Sequence, residues 1–135
     1  MEPIYTSEAP KPAGHYSQAM VHDNLVFVSG QLPIDPHTGE ACTASIEEQT
    51  KQALRNVEEV LKASGSSLRE VIRTTVYVAD IALWDRVNQV YGGCFGNHRP
   101  ARAVVPTGEL HHGCQIEIQA IAVVGSTVAA DRHAD

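Results

Sequence analysis

A basic residue and an acidic residue stand inside two otherwise apolar stretches near the end of the chain. Arg102 lies in "RPARAVVP", where residues 101–105 are predicted to form a buried strand. Burial of a guanidinium is costly unless an anion pairs with it. We therefore expect Arg102 either to form a salt bridge with Glu117 or Glu109, or to bind the carboxylate of a substrate through two parallel hydrogen bonds.

Glu117 is the acidic counterpart, and it alternates with apolar residues in "QIEIQAIAVV", residues 115–124. It is either an outward residue of a half-solvated sheet or a general acid/base whose pKa is raised by partial burial. If the strands of Arg102 and Glu117 edge one cleft, a carboxylate anchor stands beside a proton-transfer group. That combination suits a small 2-keto, 2-imino or 2-enamine acid.

Four further residues admit both a structural and a functional interpretation. Tyr16 can pack in the core, Gly30 can turn the chain, and Asn88 can tie a helix to a loop. Ser29 and Gly30 end a strand, and a glycine there would let backbone N–H groups approach a ligand. The chain contains neither a GxSxG nucleophile motif nor a glycine-rich phosphate loop.

The elements that must position these residues follow from periodicity and turn chemistry. Strands are predicted at 17–22, 25–30, 71–79, 101–105 and 115–124, and helices at 46–64 and from about 80–82 onward. Ser45 and Glu48 form a capping box before the first helix, and Gly65 suits the position after its end. This β-β-α-β-α-β-β order predicts an α+β fold, with one mixed sheet and both helices on one face.

The last strand has two apolar faces, of which the helices can cover only one. One face carries Ile116, Ile118, Ala120, Ala122 and Val124, and the other carries Glu117, Gln119, Ile121 and Val123. Another copy of the protein is the expected cover for the second face. Residues 1–125 are expected to form one domain, and residues 126–135 a flexible tail.

Composition narrows the classes of function. The 135 residues carry a net charge of −6 and show no cluster of Lys or Arg, which disfavours binding to nucleic acid. Cys42, Cys94 and Cys114 are too widely spaced for a metal motif. His111 and His112 are adjacent and would point to opposite faces of a strand, so no metal site is expected. Without a signal peptide or a long apolar run, we expect a cytoplasmic protein with reduced thiols and no membrane partner.

Several segments together resemble the reactive-intermediate deaminase (Rid, or YjgF-type) family. They are "AGHYSQAM", "VFVSGQLPIDPHTGE", "QTKQALRNVEEVLKASG", "VIRTTVYVADI", "VNQVY", "RPARAVV" and "QIEIQAIAV", in order from about residue 4 to residue 124. The resemblance implies a chorismate-mutase-like fold, a homotrimer with a cleft at each subunit interface, and no cofactor. It also implies hydrolysis of 2-aminoacrylate and 2-iminopropanoate to pyruvate and ammonia.

The resemblance also assigns roles to individual residues. Arg102 of "PAR" would anchor the substrate carboxylate, and Glu117 of "IEI" would position or activate water. The residues that would line or shape the cleft are Tyr16, Ser29, Gly30, Asn88 and the backbone at Val104.

The chain departs from the family pattern around this cleft. Val104 stands where well-known members often have Cys, Pro106 where many have Glu or Gln, and "LHHG" (110–113) where they read close to Leu-Pro and a charged pair. One of His111 and His112 is expected at the pocket rim, where it could bind a distal carboxylate. The alternatives are therefore a larger enamino acid such as 2-aminomuconate, or a non-catalytic trimer that binds 2-keto acids. The acidic net charge disfavours the ribonuclease activity described for some relatives.

Overall fold

The computed structural model describes residues 1–125, within which six strands and two α-helices form. In chain order they are β1 (Glu2–Ile4), β2 (Ala19–His22), β3 (Leu25–Gln31), α1 (Ile46–Ala63), β4 (Val71–Val78), α2 (Trp84–Phe95), β5 (Ala101–Pro106) and β6 (Ile116–Val123). The tail predicted to be flexible, residues 126–135, lies outside the described residues.

The strands form one mixed sheet in the order β1-β2-β3-β6-β4-β5. Strands β4 and β5 run parallel, and every other neighbouring pair is antiparallel. The prediction of an α+β fold with one mixed sheet is confirmed. The sequence did not reveal β1, because three residues that include Pro3 are too few to show an alternating pattern and Pro is tolerated at a sheet edge.

The two helices begin and end at local signals. The Ser45 hydroxyl accepts a hydrogen bond from the backbone N–H of Glu48 at 3.2 Å, and Gly65 has a φ of 77° just beyond the end of α1. Helix α2 begins at Trp84, later than predicted, because a short 3₁₀ turn at 81–83 precedes it. Within residues 1–125, neither helix combines the length and the apolar character needed to cross a bilayer.

An ion pair joins the two helices. Arg86 of α2 donates two hydrogen bonds to the Glu47 carboxylate at the start of α1, at 2.7 and 2.8 Å. The hydrogen bonds from Arg86 hold the pKa of Glu47 down to about 2. The two parallel hydrogen bonds link the first turn of α1 to α2.

Both helices cover the same face of the sheet. Ile116, Ile118, Ala120 and Ala122 of β6 point toward them and are at most 3% exposed. The opposite face, which we call the outer face, carries the other residues of β6. Across it, Phe27 pairs with Ile121 on one side and Met20 on the other, yet Phe27 is 44% exposed. Among residues 1–125, the outer face therefore leaves apolar side chains exposed, and its burial by another copy stays a prediction.

Strand β5 corrects one expectation. It pairs only with β4 and forms an edge of the sheet, so its residues are half-buried or exposed rather than buried. The Ala and Val content of a strand indicates that the strand can be buried. How deeply the strand is buried depends on its position in the sheet. Arg102 consequently lies half-buried at a sheet edge rather than inside the core.

Candidate active site

Arg102 lies on the helix-covered face of the sheet, above α2. Its backbone pairs with Thr74, whose side chain points to the same face. The guanidinium Nη1 donates to Asn88 Oδ1 at 2.8 Å, and its central carbon lies 4.7 Å from the centre of the Tyr91 ring and 5.5 Å from that of Trp84. Cation–π contact with two rings holds the charged group in one orientation.

A cavity of about 600 Å³ opens beside this guanidinium, and we call it the Arg102 cavity. Its lining residues are Asn88, Tyr91, Gly92, Phe95, Gly96, His98, Arg99, Pro100 and Arg102. The Tyr91 hydroxyl shares a hydrogen bond of 2.7 Å with Thr74, and burial raises the pKa of Tyr91. The phenol therefore stays neutral and serves as a fixed platform for the guanidinium.

Neither internal salt bridge considered for Arg102 forms. Among residues 1–125, Arg102 has no carboxylate within ion-pair distance, and its Nη1 donates to the neutral Asn88 amide. The predicted pairs with Glu117 and Glu109 are therefore wrong within one chain. Arg102 also lines a cavity with room for an anion, which favours the ligand-binding interpretation.

Glu117 lies on the outer face, beside a second cavity. Its backbone pairs with Tyr77 of β4, which in turn pairs with Val105 of β5. The cavity measures about 460 Å³, and we call it the Glu117 cavity. Its lining residues are Pro10, Lys11, Ala13, Tyr16, Gln18, Ser29, Gly30, Gln31, Leu32, Ile34, Glu109, Leu110, His111, His112 and Glu117.

The end of β3 is shaped around the Glu117 carboxyl group. A Cβ atom added at Gly30 would overlap a carboxylate oxygen of Glu117 and lie 3.0 Å from its carboxyl carbon. The register of β3 against β6 also shifts between Val28 and Gln31, as at a β-bulge. The Ser29 hydroxyl donates to the Ser17 carbonyl at 2.6 Å and fixes the neighbouring segment. Gly30 therefore provides the space that the carboxyl group occupies.

The surroundings of Glu117 favour its protonated form. Partial burial raises the pKa of Glu117, and the positive charge that His111 can carry opposes this rise. A carboxyl group whose pKa lies above its ordinary value exchanges protons more readily near neutral pH. The predicted effect of burial on Glu117 is confirmed in direction.

Three buried amide side chains hold irregular backbone segments, two of them in the walls of the Glu117 cavity and one just before β6. Gln18 donates to the carbonyls of Thr6, Ala9 and Pro10 at 3.0, 3.3 and 2.9 Å. Asn56 donates to the carbonyls of Leu32 and Ile34 at 3.0 and 2.9 Å, and Gln49 binds the backbone N–H of Gln115 at 2.8 Å. Each amide thereby satisfies backbone groups that no sheet or helix pairs.

Sequence reasoning did not identify these three amides. A signal was present for two of them, because Gln49 and Asn56 fall on the buried stripe of α1 at positions that apolar residues otherwise occupy. A polar residue on such a stripe is buried only when its hydrogen bonds are satisfied. Gln18 carried no comparable signal, since its partners in the N-terminal segment follow no periodic pattern.

The two cavities lie on opposite faces of the sheet. Successive residues of a strand point to opposite faces, and Arg102 shares its face with Thr74 whereas Glu117 shares its own with Tyr77 and Val105. The idea that both side chains enter one cleft of the same chain is therefore wrong. The alternation was visible in the sequence, but the cross-strand pairing that relates the two strands was not.

The other predicted residues divide between the two cavities. Tyr16, Ser29, Gly30, His111 and His112 line the Glu117 cavity, whereas Asn88 lines the Arg102 cavity.

Two of the predicted positions behave differently from expectation. Val104 lines neither cavity and packs against the core from β5. His112 has a φ of 60°, in the left-handed region, and its ring lies 5.8 Å from that of His111. Because of this turn, both histidines line the same cavity, whereas neighbours on a strand would diverge.

Comparison with known proteins agrees with this architecture. A family model described as Endoribonuclease L-PSP matches residues 6–124. The chain is 46% identical over 121 residues to a RutC family protein of Pyrococcus horikoshii, covering 90% of this chain and 96% of the relative. It is 43% identical over 127 residues to 2-iminobutanoate/2-iminopropanoate deaminase of Rattus norvegicus, covering 94% and 93%.

A solved structure extends the comparison to the fold. RidA from the Antarctic bacterium Psychrobacter superposes with a TM-score of 0.88 at 33% identity, covering 92% of this chain and all of that one. The protein therefore belongs to the class of α+β proteins with one mixed sheet and two helices on one face. Within that class, the chain is a member of the Rid (YjgF-type) family, as its motifs indicated.

Proposed function

We propose that the protein hydrolyses small 2-imino and 2-enamino acids to 2-keto acids and ammonia. The observation that carries this proposal is the division of the two chemical groups between opposite faces of the chain. One is a guanidinium beside a cavity, with no ionic partner among residues 1–125, and the other is a carboxyl group with a raised pKa beside a second cavity. The relatives named as 2-iminobutanoate/2-iminopropanoate deaminases support the reaction.

The proposed site forms between two copies of the chain, in a homotrimer. Arg102 of one copy approaches Glu117 of another, since no single chain brings the two side chains together. The exposed apolar residues of the outer face, such as Phe27, supply surface for this contact. Assembly then places the substrate between the Arg102 cavity of one copy and the Glu117 cavity of the next.

The reaction assigns one step to each group. The Arg102 fork binds the substrate carboxylate through two hydrogen bonds, which orients the planar imine beside Glu117. Glu117 accepts a proton from a water molecule as that water adds to the carbon of the protonated imine, and a neutral carbinolamine forms. Glu117 returns this proton to the nitrogen, the carbon–nitrogen bond breaks, and ammonia leaves while the carbinolamine hydroxyl gives up its proton and becomes the keto oxygen. One protonated imine and one water thus yield one 2-keto acid, one ammonia and one proton. An enamine reaches the same protonated imine by taking a proton at carbon.

The remaining lining residues have supporting roles in this proposal. Tyr16, Ser29 and the Gly30 backbone shape the pocket around the reacting carbon, and Asn88 holds the Arg102 fork. The backbone at Val104 borders the ligand only if the partner copy brings it there. His111 and His112 form the rim, where a cationic His111 favours the ionised form of Glu117.

RNA cleavage, which the description of the family model names, is less well supported. The net charge of −6 repels a polyanion, and the basic residues are scattered along the sequence rather than clustered. Cleavage that copurifies with the protein and falls steeply with added salt would favour that alternative.

A coupled assay tests the proposal. A serine or threonine dehydratase generates the imine, semicarbazide traps the fraction that stays unhydrolysed, and 2-keto acid formation is followed with and without the protein. We expect acceleration by the wild-type chain and a loss of rate by about 10²–10⁴-fold in Glu117→Gln. If the protein is instead a trimer that binds 2-keto acids without turnover, Glu117→Gln should bind 2-keto acids as tightly as wild type does. Neither wild type nor Glu117→Gln should then accelerate 2-keto acid formation. Equal acceleration by wild type, Arg102→Ala and Glu117→Gln would contradict the mechanism.

A further inference from the structure

The Arg102 cavity carries charge of one sign. The charged or protonatable nitrogen groups among its nine lining residues are His98, Arg99 and Arg102, and none of these nine described residues carries a carboxylate. The Glu117 cavity is mixed, because Lys11 and two histidines there stand with Glu109 and Glu117. In a chain with a net charge of −6, a cavity whose described lining holds two guanidiniums and no acid is a local site for anions.

A monocarboxylic substrate occupies only one of the two guanidiniums. Arg102 is oriented by Asn88 and by two aromatic rings, so it suffices for one carboxylate. Arg99 is exposed, lines the same cavity, and has no carboxylate within ion-pair distance among residues 1–125. The proposed reaction of a three-carbon imino acid leaves Arg99 without a role.

The backbone on both sides of Arg99 is held in place. The His98 ring makes a hydrogen bond of 2.6 Å to the carbonyl of Val71, and the His98 N–H donates to the carbonyl of Phe95 at 3.2 Å. Pro100 follows, and its ring restricts the backbone of Arg99 to extended conformations. The Cα atoms of Arg99 and Arg102 can be no more than about 10 Å apart across three residues. Two side chains based this close can engage the two ends of one small ligand.

We infer that Arg99 binds a second carboxylate, so that the site selects 2-imino acids that carry a carboxylate at each end. This inference rests on the proposed function and specifies its substrate class. Arg102 takes the carboxylate next to the imine carbon, and Arg99 takes the distal one. The single-sign Arg102 cavity places the distal carboxylate there rather than at the His111–His112 rim, where Glu109 and Glu117 would repel it.

The test compares two imino acids produced by an amino acid oxidase, one from alanine and one from glutamate. The ratio of kcat/KM for the dicarboxylate to that for the monocarboxylate is measured in wild type, Arg99→Gln, Arg99→Lys and Arg55→Gln. We expect Arg99→Gln to lower this ratio by about tenfold, as for loss of one exposed charged hydrogen-bond donor. Arg99→Lys should keep most of the ratio, because a charge remains. Arg55 is an exposed arginine of α1 that lines neither cavity, and its variant should match wild type.

Two results would overturn the inference while leaving the deaminase proposal intact. One is an unchanged ratio in Arg99→Gln. The other is a lowered ratio in His111→Ala or His112→Ala but not in Arg99→Gln, which would place the distal carboxylate at the opposite cavity.

A binding measurement distinguishes failure of this inference from failure of the proposed reaction. If neither imino acid is turned over, calorimetric titration with 2-oxoglutarate and pyruvate measures the same selectivity without catalysis. Weaker binding of 2-oxoglutarate by Arg99→Gln, relative to pyruvate, would support a dicarboxylate site in a protein that is not a deaminase. Equal effects on both ligands, or no binding of either, would overturn the inference.

Discussion

The two cavities differ in what holds their reactive groups. The Arg102 side chain is fixed by neighbouring side chains, namely the Asn88 amide and the rings of Tyr91 and Trp84. Glu117 is placed by the sheet, while Gln18, Gln49 and Asn56 hold the loops around it. A long side chain that binds an anion needs its orientation fixed, whereas a proton-transfer group needs a controlled degree of burial. The comparison indicates that the two halves of the proposed site can be disrupted independently.

The largest expected effect comes from preventing the two cavities from meeting. Val123→Asp places a carboxylate in the apolar part of the outer face, where an unpaired charge is costly once covered by another copy. We expect loss of the trimer and of nearly all activity. Sedimentation equilibrium measures the assembly, and circular dichroism separates a folded monomer from an unfolded chain. A variant that remains trimeric with wild-type activity would show that this face is not the interface.

Mixing two inactive variants tests whether the cavities act across copies. Arg102→Ala and Glu117→Gln should each lose about 10²–10⁴-fold in rate. After subunit exchange in equal amounts, about one quarter of the interfaces join an intact Arg102 to an intact Glu117. The mixture should therefore recover about one quarter of the wild-type activity. Its absence, when native mass spectrometry shows mixed trimers, would contradict a site shared between copies.

The geometry of the Arg102 fork is expected to matter more than its charge. Arg102→Lys keeps the positive charge but cannot form two coplanar hydrogen bonds to a carboxylate. We expect kcat/KM to fall by about 100-fold, as for a misoriented substrate. Arg86→Lys is the matched control, because Arg86 also makes paired hydrogen bonds to a carboxylate but lies outside both cavities. Equal activity of wild type and Arg102→Lys would show that the fork is not used.

Substitutions at two glycines distinguish the effect of space around the Glu117 carboxylate from the effect of backbone flexibility. In Gly30→Ala, the added Cβ atom displaces the Glu117 carboxyl group, and we expect kcat to fall about tenfold with little loss of stability. Gly93→Ala adds a methyl group to α2 with no atom within 4 Å, and should keep activity while gaining about 1 kcal/mol of stability. Steady-state kinetics and urea unfolding measure both effects. Wild-type kcat in Gly30→Ala would mean that the observed carboxylate position is not the reactive one.

The smallest expected effect is the influence of Glu117 on stability. Burial raises its pKa, so the folded chain binds a proton more tightly than the unfolded chain does. Its contribution is therefore present at low pH and is lost as the pH rises through the folded pKa, which lies above 4.5. Glu117→Gln should remove this pH-dependent loss of stability, and the variant should be more stable than wild type near neutral pH. Urea unfolding between about pH 4 and 7 measures the difference, and parallel curves for both proteins would contradict it.

Much of the fold could be predicted because its signals are local. The Ser45 cap, Gly65 after α1 and the alternation along β6 each act within a few residues, so the sequence alone determined the bounds of these elements to within one residue at each end. The candidate chemical residues could also be predicted, since Arg102 and Glu117 interrupt apolar patterns and fall within motifs of the family.

Only the tertiary structure decided how these residues relate in space. The order of strands in the sheet made β5 an edge, left Arg102 half-buried, and put Glu117 on the opposite face. Hydrogen bonds between segments distant in the chain, such as Asn56 with the carbonyl of Leu32, formed the walls of the second cavity. Such contacts depend on which elements become neighbours on folding, and no local pattern of residue types encodes that choice.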